Sequence, residues 1–151
     1  MAFISSVEVT LWNASSLGLI LPVLHATGWQ FWEREVRWAC FQEVGEEEDL
    51  GTERREGWQE LVHKWDAMCD QGKTVQIMYQ WQDDSEKQVT IWFSRKHSDT
   101  SLLTMDCTMY PAWQRLCGNI TDYSWYLDRL VCPLEQSQLG VLYVTCSDDN
   151  A

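Results

Sequence analysis

His63 stands three residues before Asp66 and seven before Asp70, in the stretch "LVHKWDAMCD". At 3.6 residues per turn this spacing sets an imidazole and two carboxylates on one side of a helix, within about 60°. Such a trio has the makings of a general acid–base group or of a weak cation site. The same residues also fit a plainer pattern, a solvated polar face opposite a packed one. No nucleophile accompanies them, and the plainer pattern is the one expected. His25 lies beside an apolar helical stripe and His97 in the turn "RKHSD", so neither adds to the trio.

Thiol and phosphate chemistry fare no better. The six cysteines, at 40, 69, 107, 117, 132 and 146, are an even number, which raises a disulfide scaffold. No two lie closer than ten residues, so the paired ligands of a structural zinc site are missing. Cys40, Cys69 and Cys146 fall on apolar faces, where a thiol packs as a small hydrophobe. "MAFISSVEVTLW" lacks a basic leader region and reads as a strand, not a signal peptide. A cytoplasmic location with reduced thiols is therefore expected. "LGLILPVLHA" is too short to span a bilayer and contains Pro22. Neither G-x-x-x-x-G-K-[ST] nor G-x-G-x-x-G occurs. No catalytic residue, metal or cofactor is expected, and the chain is not read as an enzyme.

What stands out instead is indole and negative charge. The 151 residues include ten tryptophans, and 23 acids against 11 bases give a formal net charge of −12. That charge repels nucleic acid and anionic membrane and favours encounter with basic proteins. Glu43, Glu46, Glu47, Glu48 and Asp49 form an acidic cluster in "EVGEEEDLGT", and Asp83, Asp84 and Glu86 occupy a second turn. Tryptophan is enriched at binding hot spots. Two stand at ambiguous positions. Trp32 lies where strand meets turn. Trp125 falls opposite the apolar stripe of the last helix, so either a second layer covers it or it is exposed for a partner.

These residues need a scaffold, and the pattern supplies one. With 45% hydrophobic and 23% charged residues the composition is that of a globular domain. Phe3, Val7, Val9 and Leu11 alternate as a strand. Leu17, Ile20, Leu21 and Leu24 follow at helical spacing and Gly28 stops them; Pro22 implies a kink or a later start. A strand is expected over 34–44, and a helix capped by Thr52 that runs to about Gln71. Residues 74–82 and the run Val89, Ile91, Phe93 form a hairpin closed by "DDSEK", and 101–109 add a third strand. "PAWQRLCG" reads as at most a short helical turn. Asp122 caps a last helix that Pro133 ends. Residues 139–146 read as a buried strand, followed by a frayed acidic tail, "SDDNA". The order β-α-β-α-β-β-β-α-β predicts one α+β domain over 1–151. It comprises an antiparallel or mixed sheet of about six strands with about three helices.

In type the chain resembles the bacterial immunity proteins of toxin–immunity pairs, with "GEEEDLGTE" and the tryptophan content as the carriers. Phage-encoded inhibitors of host defence share the profile. The resemblance implies a protein partner, a basic toxin or effector domain, whose active site or fold is blocked. Acids would steer the encounter and aromatics would anchor it. The partner-binding residues expected on this reading are Glu46, Glu47, Glu48, Asp49, Asp83 and Asp84, with Trp32 or Trp125 as anchor. The rival expectation is a small-molecule-binding or enzymatic domain with an aromatic-lined pocket between sheet and helices.

Overall fold

The computed structural model describes residues 3–12, 16–42, 49–54, 56–97, 99–107, 114–118 and 120–150; the side chains at 3, 4, 49, 50, 52, 53, 96, 97, 149 and 150 lie outside that description. The chain runs through β1 (Phe3–Trp12), α1 (Leu17–Thr27), β2 (Trp29–Phe31), a 3-10 turn (Trp32–Arg34), β3 (Glu35–Phe41) and β4 (Asp49–Arg54). It continues through α2 (Trp58–Asp70), β5 (Thr74–Trp81), β6 (Asp84–His97), β7 (Thr100–Asp106), β8 (Arg115–Cys117), β9 (Ile120–Thr121), α3 (Tyr123–Gln136) and β10 (Val141–Asn150). The fold is α+β, as the pattern predicts, with the sheet in its antiparallel form.

The strand order is β10-β1-β7-β6-β5-β3-β4, with β2 also paired to β5. Period-two alternation turns two rows of side chains to one face. Val9, Leu103, Phe93, Val75 and Cys40 form one row, and Val7, Met105, Ile91, Ile77 and Trp38 the next. All ten are buried. The helices cover this face, with α1 touching both α2 and α3. The other face carries exposed Glu8 and half-buried Thr10, Gln76 and Thr104, the one-sided pattern of antiparallel sheets.

Several local expectations need correction. Thr52 does not cap a helix. Thr52 sits in β4 opposite Arg37, and Gly51 opposite Trp38 lets the Trp38 indole lie flat against the strand; a Cβ at 51 would fall 2.1 Å from Nε1. Helix α2 begins only after Gly57, whose φ of 82° breaks the chain direction. In "PAWQRLCG", where a helical turn is expected, Arg115–Cys117 form β8, which pairs with β9; residues 111–113 lie outside the described residues. Pro22 lies inside a continuous α1, and Pro133 lies inside α3, which runs on to Gln136.

The last strand differs most. β10 is an edge strand, exposed from Leu142 to Asp148, and it takes in most of the expected tail. Backbone pairing sets Ser5 opposite Asp148 and Phe3 opposite Asn150. The Asp148 carboxylate accepts from Ser5 Oγ at 2.7 Å and from the Tyr123 hydroxyl. Thr121 Oγ1, buried, donates to Ser5 Oγ at 2.7 Å. Hydroxyls from three elements thus hold an acidic terminus that composition alone marks as frayed. Burial and the bond to Asp148 push the Tyr123 phenol up to about 12.

Candidate functional site

Between β2 and β3 the chain takes a detour. Phe31 pairs with Tyr79, and pairing to β5 resumes with Trp38 opposite Ile77, so six residues, 32–37, stand where β5 has only Met78. The extra residues swing out as the 3-10 turn beside the β5–β6 turn. Glu33 and Arg34 both take left-handed backbone, φ 51° and 63°, and so does Gln82 in the facing turn, φ 52°. Each such non-glycine residue costs about 1–2 kcal/mol, and strain of this kind gathers at functional sites. Gln80, buried in β5, clamps both turns. Its Oε1 accepts the Glu33 N–H at 2.7 Å, and its Nε2 donates to the Gln82 carbonyl at 2.9 Å. Gln30, with its amide nitrogen turned inward, reaches the same carbonyl at 2.7 Å and Asp83 Oδ1 at 3.2 Å.

This corner gathers three of the residues singled out in the sequence. Trp32 is half-buried; its indole N–H donates to the Ser85 carbonyl at 3.0 Å, and the Arg37 guanidinium lies 4.3 Å from its ring centre. Asp83 pairs with Arg34 at 3.4 Å, and Asp84 accepts the Glu86 N–H at 3.0 Å. Both aspartates are exposed. The Arg34–Asp83 pair is a solvated one, of little worth to stability.

Trp125 approaches the same hairpin from the helix side. Of the two alternatives for it, the second layer is realised. Its ring meets Trp81 at 5.9 Å and Trp29 at 6.2 Å edge to face, with the Arg129 guanidinium 4.2 Å and the Lys87 ammonium 5.3 Å from its centre. Of the nine tryptophans among the described residues only Trp12 is exposed. The indoles are spent on packing.

The His63 trio is taken apart. Asp66 turns towards the start of α1, accepting the Leu17 N–H at 2.8 Å and the Gly18 N–H at 3.3 Å. Arg95 pairs with Asp70 at 2.7 Å and approaches Asp66 at 3.9 Å. His63 is left exposed on α2. A different histidine enters the core region: His25 shares a 2.9 Å hydrogen bond with the hydroxyl of fully buried Tyr79, and its ring packs on Phe31 and Trp58. Burial pushes the Tyr79 phenol well above its ordinary value.

The feature that sequence reasoning missed is the outer side of α1. Leu17, Ile20, Leu21 and Leu24 are buried beneath the helix, while Gly18, Leu19, Pro22 and Ala26 face solvent. A groove of about 370 Å³ separates α1 from α2, lined in part by Pro22, Trp58, Val62, His63 and Asp66. A second of about 370 Å³ separates it from α3, lined in part by Pro22, Val23, Ala26 and Pro133. The signal was in the sequence: "LGLILPVLHAT" has no acid, lysine or arginine, and a helix apolar on every side is either enclosed or has an unpartnered face.

Glu46, Glu47 and Glu48 lie outside the described residues, as do Glu43 and Trp113; Asp49 begins β4, with its side chain outside the description. All six cysteines are free thiols; Cys40, Cys69 and Cys107 are buried, whereas Cys146, expected on an apolar face, is exposed on the sheet edge with Cys117 and Cys132 exposed elsewhere. Among the described residues no group of three or more His, Cys, Asp or Glu is placed to hold a metal ion. Comparison with protein-family models, with curated proteins and with solved structures finds no match for this chain.

Proposed function

We propose that this chain is an acidic protein-binding inhibitor, of the kind that immunity proteins represent, acting in the cytoplasm on a basic toxin or effector domain. The observation that carries this reading is the exposed apolar side of α1, an uncharged helix in a chain of net charge −12. On a small acidic protein, charge keeps most of the surface in water, and an apolar strip left open marks a contact site. The two features divide the work of binding. Carboxylates accelerate encounter with a basic partner, and the apolar strip holds it once docked. The cluster Glu46, Glu47, Glu48 and Asp49 belongs to the steering charge on this reading. Trp32, Asp83 and Asp84 supply a secondary contact at the β5–β6 corner, and Trp125 supports it from beneath. The reading assigns no catalytic residue, cofactor or nucleic acid. Among the described residues no helix is long and apolar enough to cross a membrane.

The test is capture with the intact chain in its native cell, followed by assay of the captured protein's own activity. A basic protein whose activity falls on stoichiometric addition of the chain is the expected result. Capture of nothing, or of a protein whose activity is unmoved, overturns the reading.

A second reading has one observation in its favour. The α1–α2 groove brings Trp58, His63 and Asp66 to one opening, the mixture of aromatic and polar lining that suits a small ligand. Turnover of a substrate that His63→Ala abolishes would move this reading to first place.

A further inference from the structure

We propose that β10 is a self-association edge: two copies of the chain pair their β10 strands antiparallel about a two-fold axis at Cys146, joining their sheets into one. The proposal goes beyond the protein-binding reading and does not depend on it.

The main chain dictates what this edge takes. The Ser5 carbonyl accepts from the Cys107 N–H at 2.8 Å, on the β7 side, and the Trp12 N–H donates to the Gly140 carbonyl at 2.8 Å, on the β10 side. Backbone groups alternate sides along a strand, so Ser6, Glu8 and Thr10 turn theirs to β10. Their partners are Ser147, Thr145 and Tyr143. The residues between and beyond these, Val144, Cys146 and Asp148, therefore aim N–H and C=O away from β1. Among the described residues no strand lies on that side, and all three are exposed. A further extended strand satisfies such a row.

The residue types favour a second copy. Natural edges are blunted by charge, proline or shortness. β4, at the opposite end of the sheet, has six residues and includes Asp49, Glu53 and Arg54. β10 has ten, and its first seven, "VLYVTCS", include no charge and no proline. Leu142, Tyr143 and Val144 are three of the seven large hydrophobics that stand exposed among the described residues, so apolar surface gathers at this edge. In a chain of net charge −12 a second copy is opposed wherever acids meet. β10 keeps its acids, Asp148 and Asp149, towards one end, and antiparallel pairing points the two ends in opposite directions.

The register follows from the strand itself. Pairing with β1 skips Leu142, so the regular strand runs from Tyr143 to Asn150. The outward-aimed residue nearest its middle is Cys146. An axis there sets Val144 against Asp148 of the other copy and Cys146 against its own counterpart, with Cα atoms about 5.5 Å apart. The two Asp148 residues lie four positions apart along the strands, about 14 Å, beyond the screening length of about 8 Å at physiological ionic strength.

Sedimentation equilibrium of the intact, reduced chain tests this. A monomer–dimer equilibrium is expected, and it should tighten as salt rises, because the copies share a sign of charge. Val144→Pro removes an N–H that β1 does not use and the other copy needs; edge strands tolerate proline at such positions. Two hydrogen bonds are lost per dimer, and association should weaken about tenfold or more. A monomer at every concentration, an unchanged dimer in Val144→Pro, or dissociation on adding salt overturns the proposal. Amide exchange on the unsubstituted chain keeps the test independent of how the variant folds. The Val144, Cys146 and Asp148 amides should exchange more slowly as concentration rises; protection centred on α1 or β4 instead overturns it. Oxidised glutathione reads the register, since two thiols facing at this distance pass their hydrogens to it and join as one disulfide, releasing two reduced glutathiones. The linked dimer should form through Cys146 and vanish in Cys146→Ser. Linkage through Cys117 or Cys132 in its place overturns the proposal, as does a captured protein that protects β10 while the chain stays monomeric, which would give the edge to a foreign strand.

Discussion

The indole N–H of Trp29 donates to the main-chain carbonyl of Arg129 at 2.8 Å. In α3 that carbonyl would ordinarily accept from residue 133, but residue 133 is proline and has no N–H. A buried tryptophan from β2 thus satisfies the acceptor that an internal proline leaves open. Trp29 is fully buried, so its indole N–H has no water as an alternative partner. One side chain ties the helical layer to the sheet and makes Pro133 tolerable inside the helix.

The pair should therefore be coupled. Trp29→Phe orphans the Arg129 carbonyl and is expected to cost about 1–3 kcal/mol beyond its loss of packing. In a Pro133→Ala background the new N–H takes the carbonyl, and that part of the cost should disappear. A double-mutant cycle by urea denaturation is expected to give a coupling of about 1 kcal/mol or more. Trp65→Phe is the control, because the buried Trp65 indole N–H meets no acceptor among the described residues. Additive effects of Trp29→Phe and Pro133→Ala would show that the hydrogen bond carries no weight.

The start of α1 offers a second contrast. Ser16 occupies the N-cap position, yet its side chain makes no capping bond. Asp66, on a different helix, caps α1 in its place. A carboxylate there also complements the positive end of the helix dipole. Asp66→Ala should lower stability by about 1–2 kcal/mol, and Ser16→Ala by less than about 0.5 kcal/mol. Chemical denaturation of the two variants checks this; the opposite ranking would return the cap to Ser16.

How far this was legible in the sequence follows from which signals are local. Alternation in 74–81 and the caps Gly28 and Asp122 depend on near neighbours, and the structure keeps them. The His63, Asp66 and Asp70 spacing marks one face of a helix, and all three lie on α2. Its fate was set by Leu17 and Arg95, which are remote in sequence and which no spacing rule brings near. Pro133 looked like a helix end because its rescuer, Trp29, lies about a hundred residues away. The corner at Trp32 is a register jump, and a strand that loses pairing for a few residues keeps its alternation in sequence.

Stability should fall on the alkaline side. Burial pushes the Cys69 thiol up from 9.0 to about 12, with Asp66 adding to the effect, and burial raises the phenols of Tyr79 and Tyr126 and the thiol of Cys107 as well. A group whose folded value is raised contributes stability that is complete below its unfolded value. Above 9.0 the unfolded thiol ionises while the folded one stays neutral, and that stability drains away until pH reaches the folded value. Between those limits Cys69 alone is worth a slope of about 1.4 kcal/mol per pH unit. Unfolding free energies at pH 8, 10 and 11 should decline, and Cys69→Ala should lessen the decline. A profile flat to pH 11 would contradict the burial.

Thiol labelling reads the same burial at neutral pH. Cys117, Cys132 and Cys146 are exposed and Cys40, Cys69 and Cys107 are buried. Alkylation attacks the thiolate at an accessible sulfur. Under native conditions three residues should label quickly and three should be protected until urea unfolds the chain. Peptide mapping identifies which. Early modification of Cys107, or protection of Cys117, would be inconsistent with the fold.

Gln80 gives the sharpest test of the strained corner. Its amide is a donor and an acceptor at once, and both ends are used. Gln80→Leu removes both. The Gln82 carbonyl keeps Gln30 as a donor, so the main loss is the acceptor that holds Glu33 in left-handed backbone. A cost of about 1–3 kcal/mol is expected, with faster amide exchange at Glu33 and Arg34. Gln80→Glu separates the two ends. Ionised, it keeps the acceptor for the Glu33 N–H but presents a carboxylate to the Gln82 carbonyl, and two oxygens face each other without a proton. Protonated, it has a hydroxyl that donates to that carbonyl and restores the clamp. The folded state therefore binds this proton more tightly than the unfolded state, and the folded value is raised above about 4.3. Stability of Gln80→Glu relative to the unsubstituted chain should be best below the unfolded value and be lost as pH rises through the folded one. Denaturation of both proteins at pH 4 and pH 7 measures it. A difference that is constant with pH would show that residue 80 only fills space, and the left-handed turn at Glu33 and Arg34 would then need another cause.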